Sequence, residues 1–492
     1  MLRELGRVAS LHGAKHRLAQ QNVLYLALFM FCLSSLLIMA PNRFWNSDGF
    51  VEYRVALRFL TTGRVDLPAL GGRSQVVQGA DGGAYSKYGL GQSFLFASTI
   101  VLDKGLERAA SLLGLSGDFS SSPGFFSTTA NALVTSLTAV CLMYVLEHFS
   151  VDKRSATAAV LMYVFGTMAL VYAGLSYDVV LSTLLLLLAY LTVFRTLQMG
   201  GMGWAVSAGF FLGFSFMTRP ANAILVLPLV LVVLVRNLSD RAMYKKSWPE
   251  VSTMAMVTLA TVIPQFLYNA RRFGSLFDFG YSAAQFSANP LVSFPALVAS
   301  PARGVIFYAP PALLGVLGII SWVKRARLEA GTMIATASIN LVLYGMWYWW
   351  DTPRTWGPRF QLTTVAFLTI PLGVWLSDVN SLRNLRKLAA AILSIGFFTQ
   401  LAATLIGFNL LDASFGRFWN WEQSQLWSLV LSTCALIRNG QIARLRSWWI
   451  NPLGSTVPGA LATVPILIVA LGSALALVMI LNGPASSGEQ GG

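Results

Sequence analysis

The sequence predicts an all-α polytopic membrane protein with about thirteen transmembrane helices, and three observations support this fold class. The 492 residues are 55% hydrophobic and only 11% charged, whereas soluble globular proteins carry about 25% charged residues. Apolar runs suited to crossing a bilayer recur along the whole chain, which has a mean hydropathy of +0.62. Lysine and arginine concentrate in alternate loops between these runs, as in multi-pass proteins of an inner or plasma membrane.

The apolar runs define the predicted spans, which form a single transmembrane domain over residues 1–482, with a disordered tail at 483–492. The first run has no small-residue cleavage site after it and continues into Pro41, which predicts a retained signal anchor. Pro220 divides one long apolar run in two, because proline interrupts a helix. The spans are predicted at about residues 22–41, 124–146, 155–174, 178–195, 203–218, 221–236, 251–270, 303–322, 331–349, 360–377, 388–408, 425–437 and 456–481.

The distribution of charge predicts the orientation of these spans. With the N-terminus in the cytoplasm, the inside loops hold twenty of the 35 basic residues and seven of the 20 acidic residues. This bias follows the positive-inside rule. The net charge of +15 is therefore a consequence of membrane topology, and we expect no nucleic-acid partner.

The first outer loop, about residues 42–123, is far too long for a simple connection and has predicted structure of its own. Apolar residues recur at helical spacing over residues 51–60, with polar residues on the other face. This pattern predicts an amphipathic helix in the membrane interface. A second apolar stretch at residues 90–113 predicts a lateral or re-entrant helix, because a further span would invert all later charge bias.

Carboxylates are the predicted general bases on the outer face. All three histidines fall on the inside of this topology, which excludes a histidine base or a serine triad outside. The three cysteines lie in apolar runs and indicate neither a disulfide framework nor a metal site. No DxD, P-loop or HExxH motif is present, so the sequence does not support chemistry on a soluble nucleotide sugar.

Three acids are candidates, and each has a structural alternative. Asp48 follows the first span and opens the predicted amphipathic helix, where aspartate is also a favoured N-cap. Glu52 lies one turn further and is a candidate second acid, although the pattern slightly favours a solvated face. Asp178, at the mouth of the fourth span, is either a second functional acid or an interfacial charge in water.

Outer lysine and arginine residues are candidate ligands for a phosphate. Arginine binds phosphate through two donors at once, whereas the alternative is contact with lipid headgroups. Arg303 and Arg359 lie in segments stiffened by proline and glycine, which favours the phosphate interpretation for them. For the pair Arg271 and Arg272, the headgroup interpretation is favoured. The predicted phosphate-binding residues are Lys87, Arg303, Arg354 and Arg359.

In layout and in these segments the chain resembles the GT-C superfamily of membrane glycosyltransferases. More narrowly, it resembles the branch that holds protein O-mannosyltransferases and the aminoarabinose transferase of lipid A. Asp48 matches the family's early acid, although an Asp-Glu pair in the family is Asp48-Gly49 here. Tyr85-Ser86-Lys87 is similar to a Tyr-x-Lys-x-Pro segment without its proline, and Trp356-Gly357-Pro358-Arg359 is similar to an aromatic-Gly-Arg segment.

The resemblance implies a catalytic domain that takes a sugar from a polyprenyl-phosphate donor at the outer face. Asp48 would act as general base on a hydroxyl of a glycan, lipid or protein acceptor, with inversion in one displacement. The basic residues Lys87, Arg303 and Arg359 would stabilise the leaving phosphate. The acids are compatible with Mg²⁺ or Mn²⁺, but the sequence requires no cofactor.

The main alternative is a transporter or flippase of lipid-linked glycans. Such a protein is expected to carry ionisable residues in mid-span and internal repeats. The sequence has neither feature, since its charges cluster at span ends and in outer loops. It therefore favours the enzyme, and it leaves the sugar and the acceptor open.

Overall fold

The computed structural model describes residues 2–41, 44, 46–70, 72–114, 123–239, 241–351, 355–379, 382–406, 417–439 and 459–482. Within these ranges the protein is helical apart from one antiparallel hairpin and short 3₁₀ turns, which confirms the predicted all-α class. The predicted disordered tail at 483–492 lies outside the described residues, as does Arg354.

Within the described residues, every predicted span overlaps a helix or a pair of consecutive helices. The two strands of the hairpin are β1 (Val76–Gln78) and β2 (Ala84–Ser86). The helices are α1 (Leu2–Met39), α2 (Ser47–Thr62), α3 (Gly91–Leu112), α4 (Phe125–Thr128), α5 (Ala130–His148), α6 (Lys153–Gly166), α7 (Ala169–Ala173), α8 (Asp178–Met199), α9 (Met202–Thr218), α10 (Asn222–Leu225), α11 (Leu227–Ser239), α12 (Arg241–Phe273), α13 (Pro290–Ala299), α14 (Val305–Tyr308), α15 (Pro311–Arg325), α16 (Arg327–Gly345), α17 (Leu362–Asp378), α18 (Arg383–Ile406), α19 (Gln425–Arg438) and α20 (Gly459–Asn482).

Among the described residues, seven helical segments are long and apolar enough to cross a membrane. The prediction of a multi-pass membrane protein is therefore confirmed. The other predicted spans correspond to shorter or less apolar helices, and the predicted break before Pro220 is present, because α9 ends at Thr218. The seven segments are Gln20–Met39, Ala130–His148, Asp178–Met199, Ser247–Phe273, Arg359–Asp378, Arg383–Ile406 and Val464–Asn482.

The centre of the helix bundle is formed by α5, α6, α8 and α17. Leu142, Leu186 and Ile370 from three of these helices are fully buried. Close approach between helices depends on glycine, as is common in membrane proteins. A Cβ atom at Gly318 of α15 would collide with the backbone carbonyl of Pro371 on α17. The resulting tight pair holds the segment before α17, which carries part of the site.

Both helices predicted in the first outer loop are present. The amphipathic helix is α2, and the apolar stretch at residues 90–113 is α3. They pack together through a cluster of aromatic rings, in which Tyr53 and Phe96 each contact Phe44 with centroids 5.2 and 5.4 Å away. The hairpin between them was not predicted from the sequence, because its strands are only three residues long.

We expect Gly318→Ala to lower the melting temperature, because the added methyl group has no space against α17. Overpacking of this kind costs about 1–3 kcal/mol. The matched control is Gly331→Ala on α16, where an added Cβ meets nothing within 4 Å. Thermal unfolding of the detergent-purified variants measures both effects. Equal melting temperatures for the two variants would contradict this account of the α15–α17 contact.

Candidate active site

The N-terminus of α2 is fixed against the segment that precedes α8. The Asn46 side-chain amide donates to the Ser176 carbonyl at 3.1 Å and accepts from the Ser176 N–H at 3.1 Å. Asn131 of α5 holds the same segment by donating to the carbonyls of Leu175 and Tyr177. At Gly49, a Cβ atom would collide with the Ser176 carbonyl. An acid next to Asp48 is therefore excluded by this packing.

Asp48 and Arg359 form an ion pair that joins the first outer loop to the segment before α17. The distance from Arg359 Nη1 to Asp48 Oδ2 is 3.1 Å, and both side chains are mostly buried. Because α2 begins at Ser47 with Asn46 as its N-cap residue, Asp48 is not the N-cap that the sequence offered as an alternative. The Arg359 guanidinium also lies 4.4 Å from the centre of the Tyr177 ring.

The backbone before Arg359 is held by a buried network around Trp356. The Trp356 indole N–H donates to Gln400 Oε1 at 2.8 Å, and its carbonyl accepts from the Tyr172 hydroxyl at 2.7 Å. Gly357 follows with φ +55 and packs on the Tyr308 ring, where a side chain would collide. In the segment Trp356-Gly357-Pro358-Arg359, the indole anchors the backbone through a hydrogen bond, and the glycine adopts a positive φ where a side chain would not fit.

A second ion pair, Asp178 with Arg219, lies beside the first. Arg219 Nε is 3.2 Å from Asp178 Oδ2, so Asp178 is not a free charge in water. The guanidinium of Arg219 lies over the Tyr344 and Phe360 rings, at 4.9 and 4.8 Å from their centres. These two rings stack at 4.4 Å. Phe360 also contacts the guanidinium of Arg359, which makes it the bridge between the two ion pairs.

Glu52 is buried between the two ion pairs, with 1% of its surface exposed. The interpretation of Glu52 as a residue of a solvated face is therefore wrong. Neither carboxyl oxygen has a hydrogen-bond partner among the described residues. Burial raises the pKa of Glu52 well above its usual value, and the negative charges of Asp178 and Asp48 raise it further. Both effects favour the protonated, neutral form of the Glu52 carboxyl group.

Lys87 approaches the site from the end of the hairpin. Its ammonium donates to the Ser74 carbonyl at 3.1 Å and lies 5.4 Å from the centre of the Tyr88 ring. Burial lowers the pKa of Lys87, while the charge of Asp48 acts in the opposite direction. For Tyr88, burial raises the pKa of the hydroxyl, and Asp48 adds to that effect. Both residues therefore lie within electrostatic range of Asp48.

Arg272 fixes this end of the hairpin and is not the lipid-facing residue that was predicted. Its side chain is buried and donates to the carbonyls of Ser86 and Tyr88 at 2.7 and 2.9 Å, on either side of Lys87. Its neighbour Arg271 is exposed and pairs with Asp81 at 3.4 Å. Sequence alone could not separate the two arginines, because only the helix orientation decides which one points inward.

Arg303 has a different environment from the other predicted phosphate ligands. It is 2% exposed, and it donates to the carbonyls of Asp351 and Thr355 and to Gln425 Oε1 at distances of 2.9–3.1 Å. These contacts tie α19 to the loop before Trp356 and favour a structural role. The predicted phosphate contact of Arg303 stays a prediction, and Arg354 lies outside the described residues.

An apolar groove of about 580 Å³ runs beside the ion pairs, between α2, α3 and α12. It begins at Val55 and Ala56, one turn along α2 from Glu52. Its apolar wall includes residues of α3 such as Phe94 and Ala97. Its polar rim contains Asp66, which pairs with Arg58 and Arg64, and Arg271. The groove therefore combines an apolar interior with charged residues at one edge.

The part of the chain that the structure describes contains no pre-formed cluster of metal-binding side chains. No group there brings together three or more His, Cys, Asp or Glu side chains in an arrangement that could hold an ion. The acids of the site face arginines instead, as in the pairs Asp48–Arg359 and Asp178–Arg219. The compatibility with Mg²⁺ or Mn²⁺ that the sequence suggested stays an expectation.

Residues 119–268 match the family model described as dolichyl-phosphate-mannose-protein mannosyltransferase, PMT_2. No curated protein sequence matches the chain. The crystal structure of ArnT from Cupriavidus metallidurans bound to undecaprenyl phosphate superposes with a TM-score of 0.52 at 14% identity, covering 94% of this chain and 77% of that one. The chain therefore shares the fold of this membrane protein. The predicted GT-C fold is thereby confirmed.

Two further structures are similar to this chain. ArnT from Cupriavidus metallidurans in the apo state has a TM-score of 0.52 at 15% identity, covering 94% of this chain and 78% of that one. The cryo-EM structure of the arabinosyltransferase EmbB from Mycobacterium smegmatis has a TM-score of 0.44 at 16% identity, covering 94% of this chain and 41% of that one.

We expect Glu52→Gln to raise the melting temperature at neutral pH. In the unfolded state Glu52 loses its proton as the pH rises above the usual pKa of glutamate, whereas the raised pKa in the folded state retains the proton. The free energy of unfolding of the wild type therefore falls as the pH rises from the usual pKa of glutamate toward the raised pKa. The glutamine variant lacks this loss, and the two melting curves should converge toward acidic pH. Thermal unfolding across pH measures it, with the exposed Glu422→Gln as control. A constant difference between wild type and Glu52→Gln would contradict the buried neutral acid.

Proposed function

We propose that the protein is a glycosyltransferase that moves a sugar from a polyprenyl-phosphate donor to a hydroxyl acceptor. The reaction would take place at the outer face of the membrane, with the N-terminus in the cytoplasm, as the charge bias of the loops favours. The similarity of the fold to that of GT-C glycosyltransferases favours this activity, although a fold by itself does not define a function. The geometry around Asp48 therefore has to carry the proposal.

The observation that carries it is the meeting of Asp48 with Arg359, close to Lys87 and beside an apolar groove. A lipid-linked sugar phosphate needs these three elements together. The base must reach an acceptor hydroxyl, the cations must face the phosphate, and the groove must take the isoprenoid chain. Support for the last point comes from ArnT, whose structure is described as bound to undecaprenyl phosphate.

The Asp48–Arg359 ion pair gives the base a resting state. Asp48 Oδ2 is engaged by the Arg359 guanidinium, so this oxygen is not free to accept a proton from an acceptor hydroxyl. An incoming donor phosphate competes with Asp48 for Arg359, since arginine binds phosphate with two parallel hydrogen bonds. Donor binding thus exchanges one ion pair for another and frees the Asp48 carboxylate. The base becomes active only when the leaving group is in place.

The transfer itself is a single displacement. The acceptor oxygen attacks the anomeric carbon while its proton passes to Asp48, and the bond from that carbon to the phosphate oxygen breaks. The electron pair remains on the polyprenyl phosphate, whose added charge is stabilised by Arg359 and Lys87. Attack from the side opposite the leaving group inverts the anomeric configuration. The leaving phosphate needs no proton, unlike the leaving group in a glycosidase with two carboxylates.

We expect Asp48→Asn to reduce sugar transfer by about a hundredfold to ten-thousandfold, the range for loss of a general base. Transfer is measured in membranes with a panel of radiolabelled polyprenyl-phosphate sugars. The matched control is Asp81→Asn in the same outer loop, where the aspartate pairs with Arg271 away from Asp48. Equal loss in both variants, or none in Asp48→Asn, would contradict a base at this position. Movement of lipid-linked glycan across the bilayer without transfer of any sugar would favour the flippase.

We expect Ala97→Trp to raise the KM for a long-chain donor by roughly tenfold, which corresponds to about 1.4 kcal/mol of binding. The indole would fill the groove that Ala97 lines. The matched control is Val101→Trp, one turn further on α3 at an exposed position outside the groove. A donor with a shortened chain should be less affected by Ala97→Trp. An equal change in KM for short and long donors would place the isoprenoid elsewhere.

A further inference from the structure

Glu52 occupies an unusual position for an acid. Its backbone carbonyl accepts a hydrogen bond from the Ser93 hydroxyl at 3.0 Å, which locks this turn of α2 onto α3. Its carboxyl group is buried, and within the part of the chain that the structure describes neither oxygen has a hydrogen-bond partner. A buried polar group without a partner destabilises the folded state, so a protein retains one where it has a use.

The groups that face Glu52 come from α2 itself and from five other parts of the chain. Asp178 begins α8, Arg219 follows α9, and Arg359 precedes α17, while Asp48 lies one turn earlier on α2 itself. The hydroxyls of Tyr88 and Tyr268 are also within electrostatic range of Glu52. Each of the two arginines is already paired with an aspartate. An ionised Glu52 would therefore have no cation of its own.

The charge of the site depends on the state of Glu52. When Glu52 is neutral, each Asp–Arg pair has no net charge, and the ammonium of Lys87 gives the site one net positive charge. With Glu52 ionised, that positive charge is cancelled. A phosphodiester brings one negative charge into a partly desolvated site, where an uncompensated charge is costly. Only the neutral state of Glu52 therefore leaves the site complementary to the phosphate of a lipid-linked donor.

We propose that Glu52 acts in the transfer as a neutral carboxylic acid, which donates a hydrogen bond to a phosphoryl oxygen of the donor. This inference rests on the proposed function and assigns Glu52 a role different from that of a second carboxylate base. The proton stays on Glu52 throughout, and the electron pair of the broken bond remains on the polyprenyl phosphate. Because charge accumulates on that phosphate as the bond breaks, the hydrogen bond strengthens toward the transition state.

The variants Glu52→Gln and Glu52→Leu separate a neutral donor from a charged base. Glutamine keeps an N–H donor and no charge, so we expect transfer to fall by less than about threefold at neutral pH. Leucine keeps the volume and removes the donor, so we expect kcat to fall by about a hundredfold with little change in acceptor KM. A glutamine variant as inactive as Asp48→Asn would overturn the proposal. So would a folded leucine variant with wild-type activity.

The pH profile gives a readout that a merely structural role would not move. In the wild type, ionisation of Glu52 at alkaline pH removes the donor and cancels the net positive charge, so transfer should decline there. The Glu52→Gln variant cannot ionise and should lack this alkaline decline. Superimposable alkaline limbs for the wild type and Glu52→Gln would exclude Glu52 as the group that titrates, and the proposal would fail.

A spectroscopic measurement keeps this inference separate from the proposed function. The infrared difference spectrum between wild type and Glu52→Gln at neutral pH should contain the band of a protonated carboxyl group. Detection of that band with no sugar transfer in any assay would overturn the proposed function, and with it the catalytic role, while leaving the neutral acid in place. A difference spectrum that contains a carboxylate band instead of the protonated band, together with normal sugar transfer, would overturn the role of Glu52 as a neutral acid and leave the proposed function standing.

Discussion

The site depends on compensating buried charge within a largely apolar molecule. Asp48 and Arg359 lie 311 residues apart in the chain, and their ion pair joins the first outer loop to the segment before α17. Loss of either partner would leave an uncompensated, partly buried charge, which is costly in a low-dielectric environment. The second pair, Asp178 with Arg219, meets the same requirement, and Phe360 contacts both arginines. The two pairs are therefore connected through the Phe360 ring.

The loops that carry these charges are positioned by buried polar contacts to the backbone. Arg272 holds the hairpin on both sides of Lys87, and Arg303 holds the loop that leads to Trp356. A guanidinium has several donors in a fixed plane, so one arginine can satisfy several carbonyls at once. Glycine contributes where backbones meet, as at Gly49 against Ser176. Irregular segments thereby acquire defined positions without a strand or a helix of their own.

The apolar groove and the charged unit lie side by side because α2 contributes to both. Its first turns carry Asp48 and Glu52, and the next turn carries Val55 and Ala56 at the wall of the groove. A single amphipathic helix thus aligns a polar reaction centre with a path for an apolar chain. This arrangement suits a substrate that is lipid at one end and charged at the other, and it connects the proposed chemistry to the membrane.

The sequence by itself determined the helical membrane architecture, the break before Pro220, the amphipathic helix α2 and the candidate acids. These features depend on hydropathy, on helical periodicity and on the local chemistry of proline, which act over short stretches of chain. Tertiary structure alone decided that Glu52 is buried, that Arg359 meets Asp48, and that Arg272 and Arg303 bind backbone carbonyls. The physical reason is that burial and pairing of a charged side chain depend on helices that are distant in the chain and pack around it. No local sequence pattern specifies which of their residues will lie opposite that side chain.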